Sequence, residues 1–248
     1  MKRWFAAVLA MAVMAGGCSG KKPLETLLYE SEPVHHKGLI VFLQGMGGTT
    51  NCFIAGNKCF AAEGFVEAVR TRGLPYDMVA PGAHFGYYKD RTLEERLRTD
   101  VILPAKARGY ERIWLVGVSM GGLGSLLYLK QNPEDVDGVL TLGPFLGYDK
   151  IIDEIAAAGG VEQWQPGSFD RQDDWQRMMW QWLKERDRQP DAAPIFLGFG
   201  ANDPYVKAHR LLAGILPPQQ VLEVDGGHSF STFKRVWEIF LDRGHLDR

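Results

Sequence analysis

Ser119 stands in the run Gly117-Val118-Ser119-Met120-Gly121-Gly122, entered directly from the apolar stretch Ile113 to Val116. A serine hydroxyl is a weak nucleophile until a neighbouring base takes its proton, and that base needs a carboxylate to fix its tautomer. Both partner types follow in order. After the apolar run Ile195 to Phe199 comes Gly200-Ala201-Asn202-Asp203-Pro204, and after Val221 to Val224 comes Asp225-Gly226-Gly227-His228-Ser229. Each residue falls in a loop just past the C-terminal end of a predicted strand, where open parallel sheets gather their ligands. The chemistry such a set performs is attack on a carbonyl, with Ser119 as nucleophile, His228 as base and Asp203 as the orienting acid, in the chain order Ser, Asp, His.

The spacing around Ser119 has a steric logic. A strand that turns at once into a helix brings positions 117 and 121 so close that neither tolerates a Cβ, and glycine occupies both. Asp149, just after the predicted strand Gly138 to Leu142, is the alternative acid. Among the other histidines, His35, His36, His209 and His245 lie in charged or terminal surroundings and read as solvated surface. His84 follows the short strand Tyr76 to Ala80 but precedes the serine. It reads with Tyr87 and Tyr88 as pocket wall.

Attack on a carbonyl also calls for donors facing the developing oxyanion. The buried-strand pattern Leu39 to Leu43 runs into Gln44-Gly45-Met46-Gly47-Gly48, a loop that resembles the HGxGG oxyanion turn of esterases with Gln44 in place of His. The backbone N–H groups of Met46 and Met120 are then the expected donors. A phosphate-binding reading of the same loop fails, because Thr50 stands where the third glycine belongs and no Gly-Lys-Ser/Thr follows.

With these loops in order, the chain from Gly38 to Arg243 resembles the α/β-hydrolase family. That resemblance implies a mostly parallel eight-stranded sheet with helices on both faces, an α/β fold, and a catalytic triad of Ser119, Asp203 and His228. It implies cleavage of a carboxylic ester or thioester, with the ester as a small-molecule substrate. Peptide-bond hydrolysis and acyl transfer would use the same nucleophile, and a binding role in the cell envelope would keep the fold without the activity.

The elements needed to hold these residues are legible independently. Apolar runs alternate with helical patterns, which argues for a parallel sheet in one domain over 34–248. Thr92 with Glu95 predicts a capping box, and Pro104 a kink or stop. Phe230, Phe233, Val236, Trp237 and Phe240 predict a last helix from about Ser229. The strand-free interval, about 147–193, fits a small helical cap. A helix from about Asp170 would align Trp175, Met178, Met179 and Trp182 on one face, read either as packing on the body or as a lid whose Trp175 and Trp182 meet substrate.

Composition narrows the rest. The chain has 248 residues, 46% of them hydrophobic, and a formal net charge of -2, which gives no basic footprint for nucleic acid. No cysteine and histidine spacing suits zinc and HExxH is absent, so neither metal nor cofactor is expected. Met1-Lys2-Arg3 followed by an apolar stretch to Gly17 resembles a secretory signal over 1–17. Its end, Ala15-Gly16-Gly17-Cys18-Ser19, resembles a bacterial lipobox, implying lipidation of Cys18, membrane anchoring, a polar tether over 18–33 and a periplasmic location at the outer membrane. Soluble periplasmic release is the alternative. Cys52 and Cys59 remain as a pair in a compartment that permits a disulfide.

Overall fold

The computed structural model describes residues 20–31, 38–46, 58–186 and 192–247. The expected signal segment, Cys18 and Cys52 lie outside the described residues, and with them the anchor and the pairing of Cys52 with Cys59. Cys59 itself is buried.

Seven strands are found among the described residues: β1 Thr26–Tyr29, β2 Gly38–Leu43, β3 Tyr76–Pro81, β4 Arg112–Val118, β5 Gly138–Leu142, β6 Ile195–Gly200 and β7 Val221–Val224. They form one sheet in the order β1-β3-β2-β4-β5-β6-β7. All neighbours run parallel except β1, which pairs antiparallel with β3. The expected count of eight came from the resemblance, whereas the described chain supplies seven extended runs.

Period-two alternation sends the side chains of each strand to two separate cores. Leu39, Val41 and Leu43 of β2, with Ile113 and Leu115 of β4, enter one apolar cluster. Ile40, Phe42, Trp114, Val116 and Val118 enter the other. Both faces are covered, which is why these strands read as continuous apolar runs.

The helices are α1 Cys59–Ala62, α2 Phe65–Arg70, α3 Phe85–Lys89, α4 Leu93–Leu97, α5 Leu103–Ala107 and α6 Met120–Gln131, followed by α7 Asp149–Ala157, α8 Trp175–Arg186, α9 Val206–Ala213 and α10 Phe230–Asp242. Helices α6 to α9 pack on the first cluster through Leu126, Ile155, Trp180 and Leu212. On the second lie α2 and α10, with Phe42 against Phe60 at 4.6 Å and against Trp237 at 5.9 Å. Burial of each such side chain contributes roughly 1.5–3 kcal/mol.

Three local expectations changed. Pro104 does not end its helix: a π-helical turn, Arg98–Ile102, joins α4 to α5 and widens the backbone where the ring would meet the carbonyl of Asp100. The capping box does not form, because the Thr92 hydroxyl donates to the carbonyl of Gly20 at 2.7 Å. The tether is built into the fold over its described part. The N–H groups of Gly20 and Leu24 donate to Asp90 and Asp100, Leu24 is buried, and β1 joins the sheet.

Candidate active site

The strand β4 passes into α6 through Ser119, whose φ of 53° and ψ of -114° put a residue with a Cβ in a conformation that favours glycine. Such an outlier costs on the order of 1–3 kcal/mol and persists only where the surroundings enforce it. The enforcement is visible. The Ser119 N–H donates to Leu142 at the end of β5 (2.9 Å), and its carbonyl accepts from Phe145 N–H (3.0 Å). A Cβ on Gly117 would lie 2.2 Å from the Gly121 carbonyl oxygen, and one on Gly121 would lie 2.0 Å from that of Leu43. The expected steric demand on both glycines is therefore met in the structure.

Two turns beyond the sheet edge bring Asp203 and His228 together. The Asp203 turn after β6 is laced to the His228 turn after β7: Ala201 N–H donates to Val224 and Asn202 N–H to Gly226, each at 2.8 Å. Across this join Asp203 Oδ2 accepts from His228 Nδ1 at 2.7 Å. Its other oxygen accepts from the N–H of Tyr205 at 2.8 Å. Asp203 is 1% exposed, while the His228 side chain keeps 19%. The histidine thus offers its second nitrogen outward with its first fixed on a buried carboxylate. Among the described residues no hydrogen bond joins the Ser119 hydroxyl to His228. Asp149, the alternative acid, is exposed at the first position of α7.

The sequence places His209 and His245 on a solvated surface, whereas the structure buries both, His209 close behind Asp203. His209 is fully buried on α9, its ring packs on Phe199 at 5.1 Å, and its Nε2 bonds the Pro144 carbonyl at 3.0 Å. Burial pushes its pKa down to about 4, so near neutrality it is an uncharged donor that ties α9 to the loop beneath Ser119.

At the end of β2, Gly45 lies against Ser119, since a Cβ there would come within 3.1 Å of Ser119 Cβ. Met46, one of the two expected oxyanion residues, follows it and is exposed. Met120, the other, is the first residue of α6, where the backbone N–H has no partner within the helix. Gln44 has its Oε1 buried without a hydrogen-bond partner among the described residues.

From Met120 a cleft of about 440 Å³ runs between α6, α3 and α8. Trp175, Met178 and Tyr88 line it, but His84, Tyr87 and Trp182 do not. On α3 the i, i+3 pair Phe85 and Tyr88 faces the cleft and the pair His84 and Tyr87 faces away. His84 instead caps the helix, accepting from Gly86 N–H, and buried Tyr87 reaches the carbonyl of Lys22. On α8 the buried side chains are Met179, Trp180 and Leu183. Trp180 donates to the Leu146 carbonyl at 2.9 Å, and this anchor rotates Trp182 beneath the Arg186 guanidinium, away from the cleft. Phe145 and Tyr205 were not singled out in the sequence. Their rings join Trp175 to His228 in steps of 6.1, 5.9 and 5.3 Å. A second depression of about 520 Å³, at Lys150, Asp173 and Arg177, shares only Trp175 with the cleft.

A family profile described as alpha/beta hydrolase fold matches residues 38–177. Solved structures of like fold include a monoacylglycerol lipase from Paleococcus ferrophilus, 17% identical with a TM-score of 0.52, the match covering 91% of this chain and 98% of that one. An S-formylglutathione hydrolase from Agrobacterium tumefaciens is 13% identical with a TM-score of 0.54, covering 91% and 90%. A ferulic acid esterase is 15% identical with a TM-score of 0.54, covering 85% and 83%. At these identities the likeness is one of fold. No curated protein matches the sequence.

Proposed function

The chain belongs to the alpha/beta hydrolase fold family, and from that premise we propose that it is a serine hydrolase cleaving a carboxylic ester or thioester through an acyl-Ser119 intermediate. The observation that carries this reading is the buried Asp203 on His228 Nδ1, at the sheet edge where Ser119 is held in its left-handed conformation. With Nδ1–H fixed on the carboxylate, Nε2 is the free lone pair and takes the hydroxyl proton as Ser119 Oγ attacks. The carbonyl oxygen gains charge facing the N–H groups of Met120 and Met46. Collapse expels the alcohol or thiol, protonated by His228. Water then enters by the same base and releases the acid.

Support for the ester limb comes from the cleft that starts at Met120 and from the helices α7 and α8, which we read as the cap. Three of the similar structures bear the names of a monoacylglycerol lipase, an S-formylglutathione hydrolase and a ferulic acid esterase. Peptide-bond hydrolysis would use the same groups, and the substrate panel separates the two. Chromogenic acetyl to dodecanoyl esters should turn over and aminoacyl amides should not. Amide turnover would overturn the ester assignment. Absence of any turnover and of labelling by a fluorophosphonate would leave only a binding role.

The location is proposed with it. Cys18 carries the acyl anchor and the protein faces the periplasm, the support being the ordered charge, apolar and small-residue regions before Cys18. Mass spectrometry of the mature protein should find its N-terminus at an acylated Cys18. An unmodified N-terminus elsewhere would remove the anchor and leave the catalysis untouched.

A further inference from the structure

The residues of α6 that face the cleft are Met120, Leu123, Leu127 and Gln131, three or four positions apart and so in one stripe. From 120 to 131 the helical rise makes this stripe roughly 16 Å long. The groove is therefore elongated, and it starts at the residue after Ser119. The charged residues along it are Lys89, Arg91, Arg171 and Glu94. Three cations face one carboxylate, Glu94, whose pKa burial raises.

Arg91 follows the cap of α3 with φ of 54°. Its N–H donates to the Tyr88 carbonyl at 3.2 Å, and that of Thr92 to the Tyr87 carbonyl at 2.9 Å. This pair of bonds is the Schellman ending, where the left-handed residue is usually glycine because any Cβ is penalised. An arginine stands there instead, exposed, its guanidinium without a hydrogen-bond or ion-pair partner among the described residues. The backbone asks for glycine and the chain keeps a cation that lines the cleft.

We infer that the groove along α6 takes the apolar chain of an amphiphile whose far end is an anion, carboxylate or phosphate, held by Arg91 with Lys89 and Arg171. This names the substrate class of the hydrolase proposed above and rests on that reading. The start of the described chain supports it. Gly20 is bonded to Asp90 and Thr92 on either side of Arg91, and two residues span at most about 7 Å. An acyl anchor at Cys18 thus keeps the cationic mouth at the membrane surface, where anionic amphiphiles are presented.

Binding is read without turnover by titration calorimetry on the Ser119→Ala protein, with decanoate, decyl phosphate, decanol and decyltrimethylammonium as probes. Both anions, or whichever one the mouth selects, should bind about ten- to a hundredfold more tightly than decanol, as charge-assisted hydrogen bonds require. The ratio of decanoate to decyl phosphate assigns carboxylate or phosphate. Adding Arg91→Gly should cut the anion advantage at least about tenfold while the melting temperature holds or rises, since glycine suits the left-handed turn. Arg91→Gln, which keeps the Cβ and the methylene stem and removes the charge, gives the same reading should the glycine loosen the turn. Equal affinity for anions and decanol, preference for the cation, or an anion advantage that survives both variants overturns the inference. Anion binding by a protein whose wild type hydrolyses no ester would sink the hydrolase reading and leave the ligand class standing.

Discussion

Ser119→Ala should abolish covalent labelling by a fluorophosphonate and lower kcat for an acetyl ester by on the order of 10⁵–10⁶. The size follows from the way the parts act as a unit: without the nucleophile, a correctly held base has no hydroxyl to activate, and only the oxyanion donors and binding remain. The fold should not suffer. The Ser119 hydroxyl has no hydrogen-bond partner among the described residues, so its removal strands nothing. The strained turn is held through backbone atoms that alanine retains, namely the bonds to Leu142 and Phe145. An unchanged melting temperature beside lost labelling is the expected pair of results. Stoichiometric labelling of the Ala variant, at another residue, would refute the nucleophile assignment.

The parts of this site that were legible in the sequence are those written in short-range chemistry. Gly117 and Gly121 announce a backbone approach so close that a Cβ would overlap a carbonyl oxygen, and the structure returns those overlaps at 2.2 and 2.0 Å. Asp203 and His228 were found because each follows a buried apolar run by a few residues, and parallel strands deliver their C-terminal loops to one edge. Strand β1 was missed for the opposite reason: Thr26–Tyr29 alternates exposed with half-buried side chains on a sheet edge, so it carries no continuous apolar signal.

Rotation was the harder problem. The stripe Trp175, Met178, Met179 and Trp182 suits the helical period, yet the adjacent register holding Met179, Trp180 and Leu183 is the buried one. Five of the eight residues from 175 to 182 are Trp or Met on faces that overlap, and periodicity cannot rank them. The indole N–H of Trp180 settles it by requiring an acceptor once buried, and Leu146 supplies one from a distant loop. The same limit applies on α3, where the sequence offers His84 and Tyr88 alike as wall. The cap bond from Gly86 to the His84 ring turns one away, and Tyr88 alone of the two lines the cleft. Such choices depend on partners far along the chain, which no local pattern contains.

Asp203→Asn should lower kcat by about 10⁴ with the protein still folded, and Asp149→Asn should leave kcat unchanged. The first effect can be traced atom by atom. Asp203 Oδ1 accepts from the Tyr205 N–H and Oδ2 from His228 Nδ1. In the asparagine variant the backbone N–H of Tyr205 still needs an acceptor, so the amide oxygen stays with it and the NH₂ group turns toward the imidazole. An NH₂ group can only donate. His228 Nδ1 must then become the acceptor, the ring proton moves to Nε2, and the nitrogen that should receive the Ser119 proton is already occupied. The buried His209 cannot substitute, because its Nε2 is engaged with Pro144 and burial holds it neutral. Asp149 offers a contrast of known size. Exposed in the first turn of α7, its charge interacts with the helix dipole for about 0.3–1 kcal/mol of stability, a change visible in the melting curve and not in turnover. Steady-state kinetics on the acetyl ester, with melting temperatures measured beside them, decide between the two acids. Should Asp149→Asn be the crippling change and Asp203→Asn the silent one, the buried carboxylate on His228 would be structural and the catalytic assignment would fail at its central bond.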